Sequence, residues 1–302
     1  MDNVSLTAVA GVHVGHFTDP AAATGCTVIL CPEGGCVASG VALGPAPASR
    51  ETALLAPENK VSRVDAVVLT GGSAFGLAAA DGVVRWLESK GRGYPTPFAR
   101  VPIVPAAALY DLGVGAADVR PDADAGFAAA DAANDAPVRE GRVGAGAGAT
   151  VGKLVGIESV ALSGIGSAAT SLQGAVVAAV GVSNAVGSIV DAETGALVAG
   201  PREALTAAAA SLAVDPFGSN TTLVAVATDA PLTKAEARAL ALSAHMGIAR
   251  VTRPSHTVDD GDTVFVLSTA RGPAVPLTGL SVAVQEVVAR ALVRGVLAAR
   301  VG

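Results

Sequence analysis

Residues 218–229, Gly218-Ser219-Asn220-Thr221-Thr222-Leu223-Val224-Ala225-Val226-Ala227-Thr228-Asp229, place a hydroxyl where it could become a nucleophile. Small polar turn formers give way to an apolar, β-branched run, so Thr221 stands at the mouth of a strand predicted over 222–228. A cut between Asn220 and Thr221 would make Thr221 an N-terminal residue, with its hydroxyl beside its own free amine. That amine has a reference pKa of ~7.7–8.0, so near neutral pH a usable fraction can take the hydroxyl's proton. The same residues also read as punctuation, since Asn and Ser form turns and Thr favours strands. Asn220-Thr221-Thr222 is in addition an N-glycosylation acceptor pattern, which matters only in a secreted chain.

Other stretches offer partners for such a hydroxyl. Val258-Asp259-Asp260-Gly261-Asp262-Thr263 gathers carboxylates at a strand start. It lacks the alternating acids and closing Glu of a calcium loop, which leaves a solvated turn or acids that hold another group in position. Gly71-Gly72-Ser73-Ala74-Phe75 turns from a predicted strand into a helix and offers backbone N–H groups to an anion or oxyanion. It is not a Gly-x-Ser-x-Gly nucleophile elbow, because Phe75 stands where the last Gly belongs, and Ser73 reads equally as an N-cap. Tyr110 ends the proline-punctuated segment 101–112, either packed or offering its hydroxyl as a donor.

The glycine-rich run 141–153 fails both nucleotide patterns. Ala147 replaces the first Gly of a phosphate loop and Leu154 follows Lys153 in place of Ser or Thr, while Ala149 and Val151 occupy the third Gly of a dinucleotide fingerprint. What survives is a loop of small residues ending in Lys153. His13 and His16, three apart in an alternating segment, point to opposite faces and make a poor metal pair. Cys26, Cys31 and Cys36 are spaced five apart, unlike a zinc site or a disulfide framework, and read as small buried hydrophobes.

The elements that must position these residues follow from composition and period. A length of 302 residues is enough for a substantial core, and with only 15% charged and 3% aromatic residues it calls for small side chains packed in layers. Mean hydropathy is high at +0.54, yet no apolar run approaches the ~20 residues of a spanning helix. The start Met1-Asp2-Asn3 lacks the basic opening of a secretory signal, so a cytoplasmic protein is expected and the glycosylation reading lapses. A net charge of −6 without a Lys/Arg-rich patch argues against nucleic acid as a partner. Strands are expected at 11–18, 26–31, 64–70, 175–182, 222–228 and 262–268. Helices are expected from 71 to about 90, from the capping box Thr233-Lys234-Ala235-Glu236 to about 250, and over 280–299 with Arg290 and Arg294 outward. Residues 187–218 read as a surface connection, with a short helix at 202–212, that would leave the Asn220–Thr221 bond accessible.

Six segments occur in one order: Leu69-Thr70-Gly71-Gly72-Ser73-Ala74-Phe75-Gly76-Leu77, Val101-Pro102-Ile103-Val104-Pro105-Ala106, Val143-Gly144-Ala145-Gly146, Asn220-Thr221-Thr222, Ala227-Thr228-Asp229-Ala230 and Asp260-Gly261-Asp262-Thr263. Together they resemble the DmpA-type self-processing aminopeptidases, which include β-peptidyl aminopeptidases and nylon-oligomer endoamidases, over nearly the whole chain. The resemblance implies an α/β fold, a four-layer α/β/β/α sandwich related to ornithine acetyltransferase. It implies one domain, 1–302, made as an inactive precursor and cut into 1–220 and 221–302, which stay together in a homo-oligomer, a tetramer being favoured. It implies an amidohydrolase of small peptides, β-peptides or amide oligomers, acting through an acyl-enzyme on Thr221 and needing no cofactor or metal.

By position the resemblance carries Lys153 over as the lysine that favours alkoxide character, and Asn184 as the oxyanion-hole amide. Tyr110 is carried over as a donor lining the site, and Asp260 and Asp262 as carboxylates that orient the Thr amine and hydroxyl. Some members use Ser as nucleophile, and the Asn-Thr-Thr form is more similar to the endoamidase side. Two other readings stand beside this one: an acyltransferase in which an amine takes the acyl group, and an unprocessed oligomer binding a small ligand at Gly71-Gly72-Ser73.

Overall fold

The computed structural model describes residues 3–202 and 220–300. The predicted helix at 202–212 and the turn Gly218-Ser219 therefore fall, all but Arg202, outside the described residues.

In chain order the main strands are β1 (His13–Asp19), β2 (Thr24–Leu30), β3 (Cys36–Ala42), β4 (Ala48–Arg50), β5 (Arg63–Val64), β6 (Ala66–Thr70), β7 (Ala106–Ala108), β8 (Ile165–Leu172), β9 (Ala175–Asn184), β10 (Thr221–Thr228) and β11 (Thr263–Ser268). The long helices are α1 (Ala79–Ser89), α2 (Ala123–Asp131), α3 (Lys234–Val251) and α4 (Leu277–Ala298). One sheet runs in the order β1-β2-β6-β7-β4 and the other β8-β9-β10-β11-β3-β5.

The side-chain period of two turns these sheets into layers. In the first sheet Ile29, Val67, Leu69 and Ala107 face inward and meet Val180, Val182, Leu223, Ala225 and Phe265 of the second. The alternate residues Val28, Leu30 and Val68 face outward onto α1 and α2. Val224, Val226, Val264 and Val266 likewise meet Leu240, Ile248, Val284 and Leu292 of α3 and α4. The result is the expected α/β/β/α sandwich. Small residues permit its tight helix packing: a Cβ on Gly82 of α1 would lie 1.7 Å from the Ala123 carbonyl oxygen, and one on Gly126 of α2 1.8 Å from that of Ala79. The three cysteines are buried thiols, as expected.

Several expectations need correction. The run predicted as one strand over 64–70 splits at Asp65, so that β5 belongs to one sheet and β6 to the other. The buried Asp65 carboxylate holds this crossing by accepting the Ile103 N–H at 3.0 Å. The helix expected from residue 71 is a single turn, Ser73–Gly76, followed by α1. Part of the expected surface connection is sheet: Ser188–Val190 pairs with Leu197–Ala199 on one side and Thr252–Arg253 on the other. Ile189 and Ala199 are buried there against Val151 and Val296. Strands of three residues are too short to show a period, which is why the sequence read this stretch as loop. The capping box of α3 is present as expected. Arg294 of α4 points outward and forms a two-pronged pair with Glu140 at 2.8 Å.

Candidate active site

Thr221 is the first residue of β10, the strand held between β9 and β11 in the middle of the second sheet. Leu223, Ala225 and Ala227 pin one face of β10 in the core and Val224 and Val226 the other, so the register of the whole strand is fixed. Its hydroxyl donates to the carbonyl oxygen of Asn220 at 2.6 Å. The same oxygen accepts the Gly261 N–H at 2.7 Å. Gly261 must be glycine for this approach: a Cβ there would lie 2.6 Å from the Ala46 carbonyl oxygen and 2.9 Å from Thr221 Oγ1.

The other candidates converge on this point. Asn184, the last residue of β9, lies directly opposite Thr221 in the ladder. Its Oδ1 accepts from the Lys153 ammonium and the Thr150 N–H, both at 3.0 Å, and Lys153 also donates to the Asn184 backbone carbonyl at 2.8 Å. The Asn184 side-chain nitrogen donates one hydrogen to the Tyr110 backbone carbonyl at 2.8 Å. Its second amide hydrogen is unspent among the described residues. Thr221, Asn184, Lys153, Asp260 and Asp262 are all buried, none more than 4% exposed.

The two acids are placed at β10 rather than on the Thr221 hydroxyl. Asp262 Oδ1 accepts the Thr222 N–H at 2.5 Å. Asp260 is bridged to Asn220 through the backbone, and its Oδ2 accepts the Thr257 N–H at 2.7 Å. Its Oδ1 is buried without a hydrogen-bond partner among the described residues. Burial first, then the neighbouring Asp262 charge, pushes the Asp260 carboxyl up to about 6, against hydrogen bonds from Thr257 and the His256 charge. Ser183 Oγ and Thr222 Oγ1 also lack partners among the described residues, but they sit on the helix-facing side of the sheet, opposite to Thr221. Unsatisfied buried polar atoms are rare in folded proteins and tend to mark places kept for chemistry.

Tyr110 reaches the cluster with its backbone carbonyl, while its half-buried hydroxyl makes no hydrogen bond among the described residues. The Gly71-Gly72-Ser73 turn offers nothing to an anion. Its three N–H groups are spent on the Gly25 carbonyl at 2.8 Å, Asp111 Oδ1 at 2.7 Å and the Leu109 carbonyl at 2.9 Å. Ser73 is not the N-cap either: Gly72 holds that place with φ 81°, where glycine has no steric penalty.

Two functional-looking residues escaped the sequence reading. Asp111 is buried between the turn and Thr24, whose hydroxyl it accepts at 2.7 Å, and burial raises its carboxyl. His256 sits with Nδ1 2.7 Å from Asp262 Oδ2. The signal for His256 was its place four and six residues before the two acids; Asp111 carried none beyond following Tyr110.

This geometry has known relatives. The model of peptidase family S58 matches residues 4–301. The chain belongs to this family. It is a hydrolase of amide bonds, as the family implies. An uncharacterized aminopeptidase of Mycobacterium tuberculosis is 42% identical over 335 residues, covering 98% of this chain and 94% of that protein. A 6-aminohexanoate-oligomer endohydrolase of Paenarthrobacter ureafaciens is 33% identical over 216 residues, covering 68% of this chain and 60% of that one. Among solved structures, a β-aminopeptidase of a Burkholderia species superposes with TM-score 0.71 at 23% identity, covering 96% of this chain and 85% of that chain. The L-aminopeptidase D-Ala-esterase/amidase of Ochrobactrum anthropi, described as a variant of the N-terminal-nucleophile hydrolase fold, gives 0.71 at 20% identity, covering 98% and 86%. These last two are likenesses of fold.

Proposed function

We propose that this S58 member cuts itself between Asn220 and Thr221, and that Thr221 then serves as the N-terminal nucleophile for amide hydrolysis. The observation that carries the reading is the position of Thr221 Oγ1, 2.6 Å from the carbonyl oxygen of the bond to be cut. In the first step Oγ1 bonds to the Asn220 carbonyl carbon and its proton leaves. The charge that develops on the carbonyl oxygen falls on the Gly261 N–H, already 2.7 Å away. The carbon–nitrogen bond breaks, the Thr221 nitrogen takes up a proton as an amine, and an ester joins the two pieces. Water then hydrolyses the ester, leaving the Asn220 carboxylate and the free Thr221 hydroxyl.

Turnover repeats the sequence on a substrate amide, with the freed amine as base. The unspent amide hydrogen of Asn184 is the donor for the substrate oxyanion, and Lys153, fixed on Asn184, supplies positive charge beside it. Asp262 holds β10 in place through Thr222. The Tyr110 hydroxyl, without an internal partner among the described residues, is left for substrate. The relatives' names suggest small peptides, β-peptides or amide oligomers as substrates. The reading takes the mature enzyme as a cytoplasmic homo-oligomer of paired 1–220 and 221–302 pieces, a tetramer by family resemblance, which light scattering would check.

Intact mass of purified, long-incubated protein tests the proposal. Two pieces ending and starting at residues 220 and 221 are expected from the natural chain, and one 29.3 kDa chain from Thr221→Ala. A natural chain that stays whole, or a Thr221→Ala chain that still cleaves, would overturn it. Product analysis with added amino acid acceptors separates hydrolysis from acyl transfer.

A further inference from the structure

His256 lies outside every residue assigned so far, yet it is built into the support of β10. It holds φ 54° in the left-handed region, a conformation that side-chain-bearing residues adopt at a cost. In that conformation two of its nitrogens approach one oxygen: the His256 N–H donates to Asp262 Oδ2 at 3.3 Å, and the ring Nδ1 lies 2.7 Å from the same oxygen, at ion-pair distance but off the line of a hydrogen bond. The other oxygen of the same carboxylate takes the Thr222 N–H at 2.5 Å. The ring is held from behind as well, with Nε2 3.3 Å from the His245 carbonyl oxygen and the two imidazoles edge to face, centroids 5.0 Å apart.

We propose that His256 is a positioning residue for the Thr221 centre, orienting the Asp262 carboxylate so that it fixes the Thr222 N–H and with it the placement of Thr221. The inference rests on the reading of Thr221 as nucleophile. Its physical logic is that a carboxylate with one oxygen clamped can no longer rotate, so its second oxygen becomes a fixed point for the strand. The groups facing His256 are Asp262, Asp260 and His245, and the last is kept neutral because burial pulls its pKa down to about 4. Burial also opposes charge on His256, but the contact with Asp262 and its charge, aided by the His245 carbonyl and Asp260, lift its pKa above the ordinary imidazole value. A proton on this ring, when present, offsets part of the charge of two adjacent buried acids.

The test compares His256→Gly, which removes the ring without straining a positive φ, with His256→Asn, which keeps a donor near the Nδ1 position and tolerates that backbone. Each is followed for self-cleavage rate and for kcat and KM on alanine p-nitroanilide, with melting temperature as the check on folding. His256→Gly is expected to slow cleavage and lower kcat roughly tenfold or more, with KM changed less than about threefold, because misplacing a nucleophile costs transition-state geometry rather than ground-state binding. His256→Asn should recover most of the loss. Asp262→Asn completes a cycle: if His256 acts through that carboxylate, His256→Gly adds nothing in its presence. Should His256→Gly not melt cooperatively, His256→Ala, which also removes the ring, takes its place in that cycle.

Additive losses, a His256→Asn chain as slow as a well-folded His256→Gly chain, or a His256→Gly chain within about twofold of the natural rates would overturn the assignment. Thr221→Ala runs alongside. If it still cleaves, the nucleophile reading and this inference fall together; if it stays whole while His256→Gly cleaves normally, only the role of His256 falls.

Discussion

Two junctions of small residues sit at the ends of central strands, one in each sheet, and they use their polar groups in opposite ways. At the Gly71-Gly72-Ser73 turn after β6, every N–H has an internal acceptor, and Asp111 is buried to complete the set. At the junction of Asn220-Thr221 with Asp260-Gly261, two donors crowd one carbonyl oxygen while Asp260 Oδ1 goes without a partner among the described residues. The glycine turn has the local pattern of an anion site and is closed; the Asn220-Thr221 junction has that of plain punctuation and is open. A turn's sequence tells which N–H groups exist, and only the fold tells whether they are already spent.

The contrast can be broken from either side. Thr221→Ala has the largest expected effect, complete loss of cleavage and turnover, read by intact mass and by assay. Next is Gly261→Ala, whose Cβ collides with the Ala46 carbonyl and presses on Thr221 Oγ1. Cleavage should slow by roughly a hundredfold for a displacement near 1 Å, and a rate within a few-fold of natural would remove Gly261 from the site. Asp111→Ala should act on the closed junction alone. It strands the Gly72 N–H and the Thr24 hydroxyl, costing about 2–4 kcal/mol in melting experiments, with kcat of the processed enzyme kept.

Asp260→Asn tests the open junction through pH. With a folded-state pKa raised from 3.8 to about 6, Asp260 favours the folded chain fully below pH 3.8 and loses that contribution as pH rises through 6. At about 1.4 kcal/mol per pH decade this is roughly 1–3 kcal/mol. The melting temperature of Asp260→Asn relative to the natural chain should therefore climb between pH 4 and 7. A flat difference would show that burial does not tax this carboxyl. Smallest of all is Ser73→Ala, expected to change neither stability nor rate measurably, since its side chain caps nothing.

Much of the architecture was legible because its signals are local. The apolar, β-branched run 222–228 and the capping box at Thr233 mark elements that hold wherever the chain packs. Thr221 and the acids lie in the ordered segments, Asn184 and Lys153 were implied by the family resemblance alone, and the fold does bring them together. The functions of the acids were harder to see. The sequence suggested that they orient the Thr221 amine and hydroxyl, whereas their carboxylates take the N–H groups of Thr222 and Thr257. The small sheet at Ser188–Val190, the split at Asp65 and the clamp by His256 depend on contacts that the fold alone creates. No period or spacing announces them.

The place of β10 between β9 and β11 has a consequence for what a cut at its first residue would produce. The piece 221–302 would carry β10, β11 and both helices of one outer layer, and its two strands would remain threaded between β9 and β3 of the other piece. Separating the pieces would mean opening a sheet along both sides and exposing two cores. Such a product would behave as a permanent heterodimer whose interface is the inside of a domain, so dilution would not part the halves, and each half would serve as the scaffold on which the other keeps its shape.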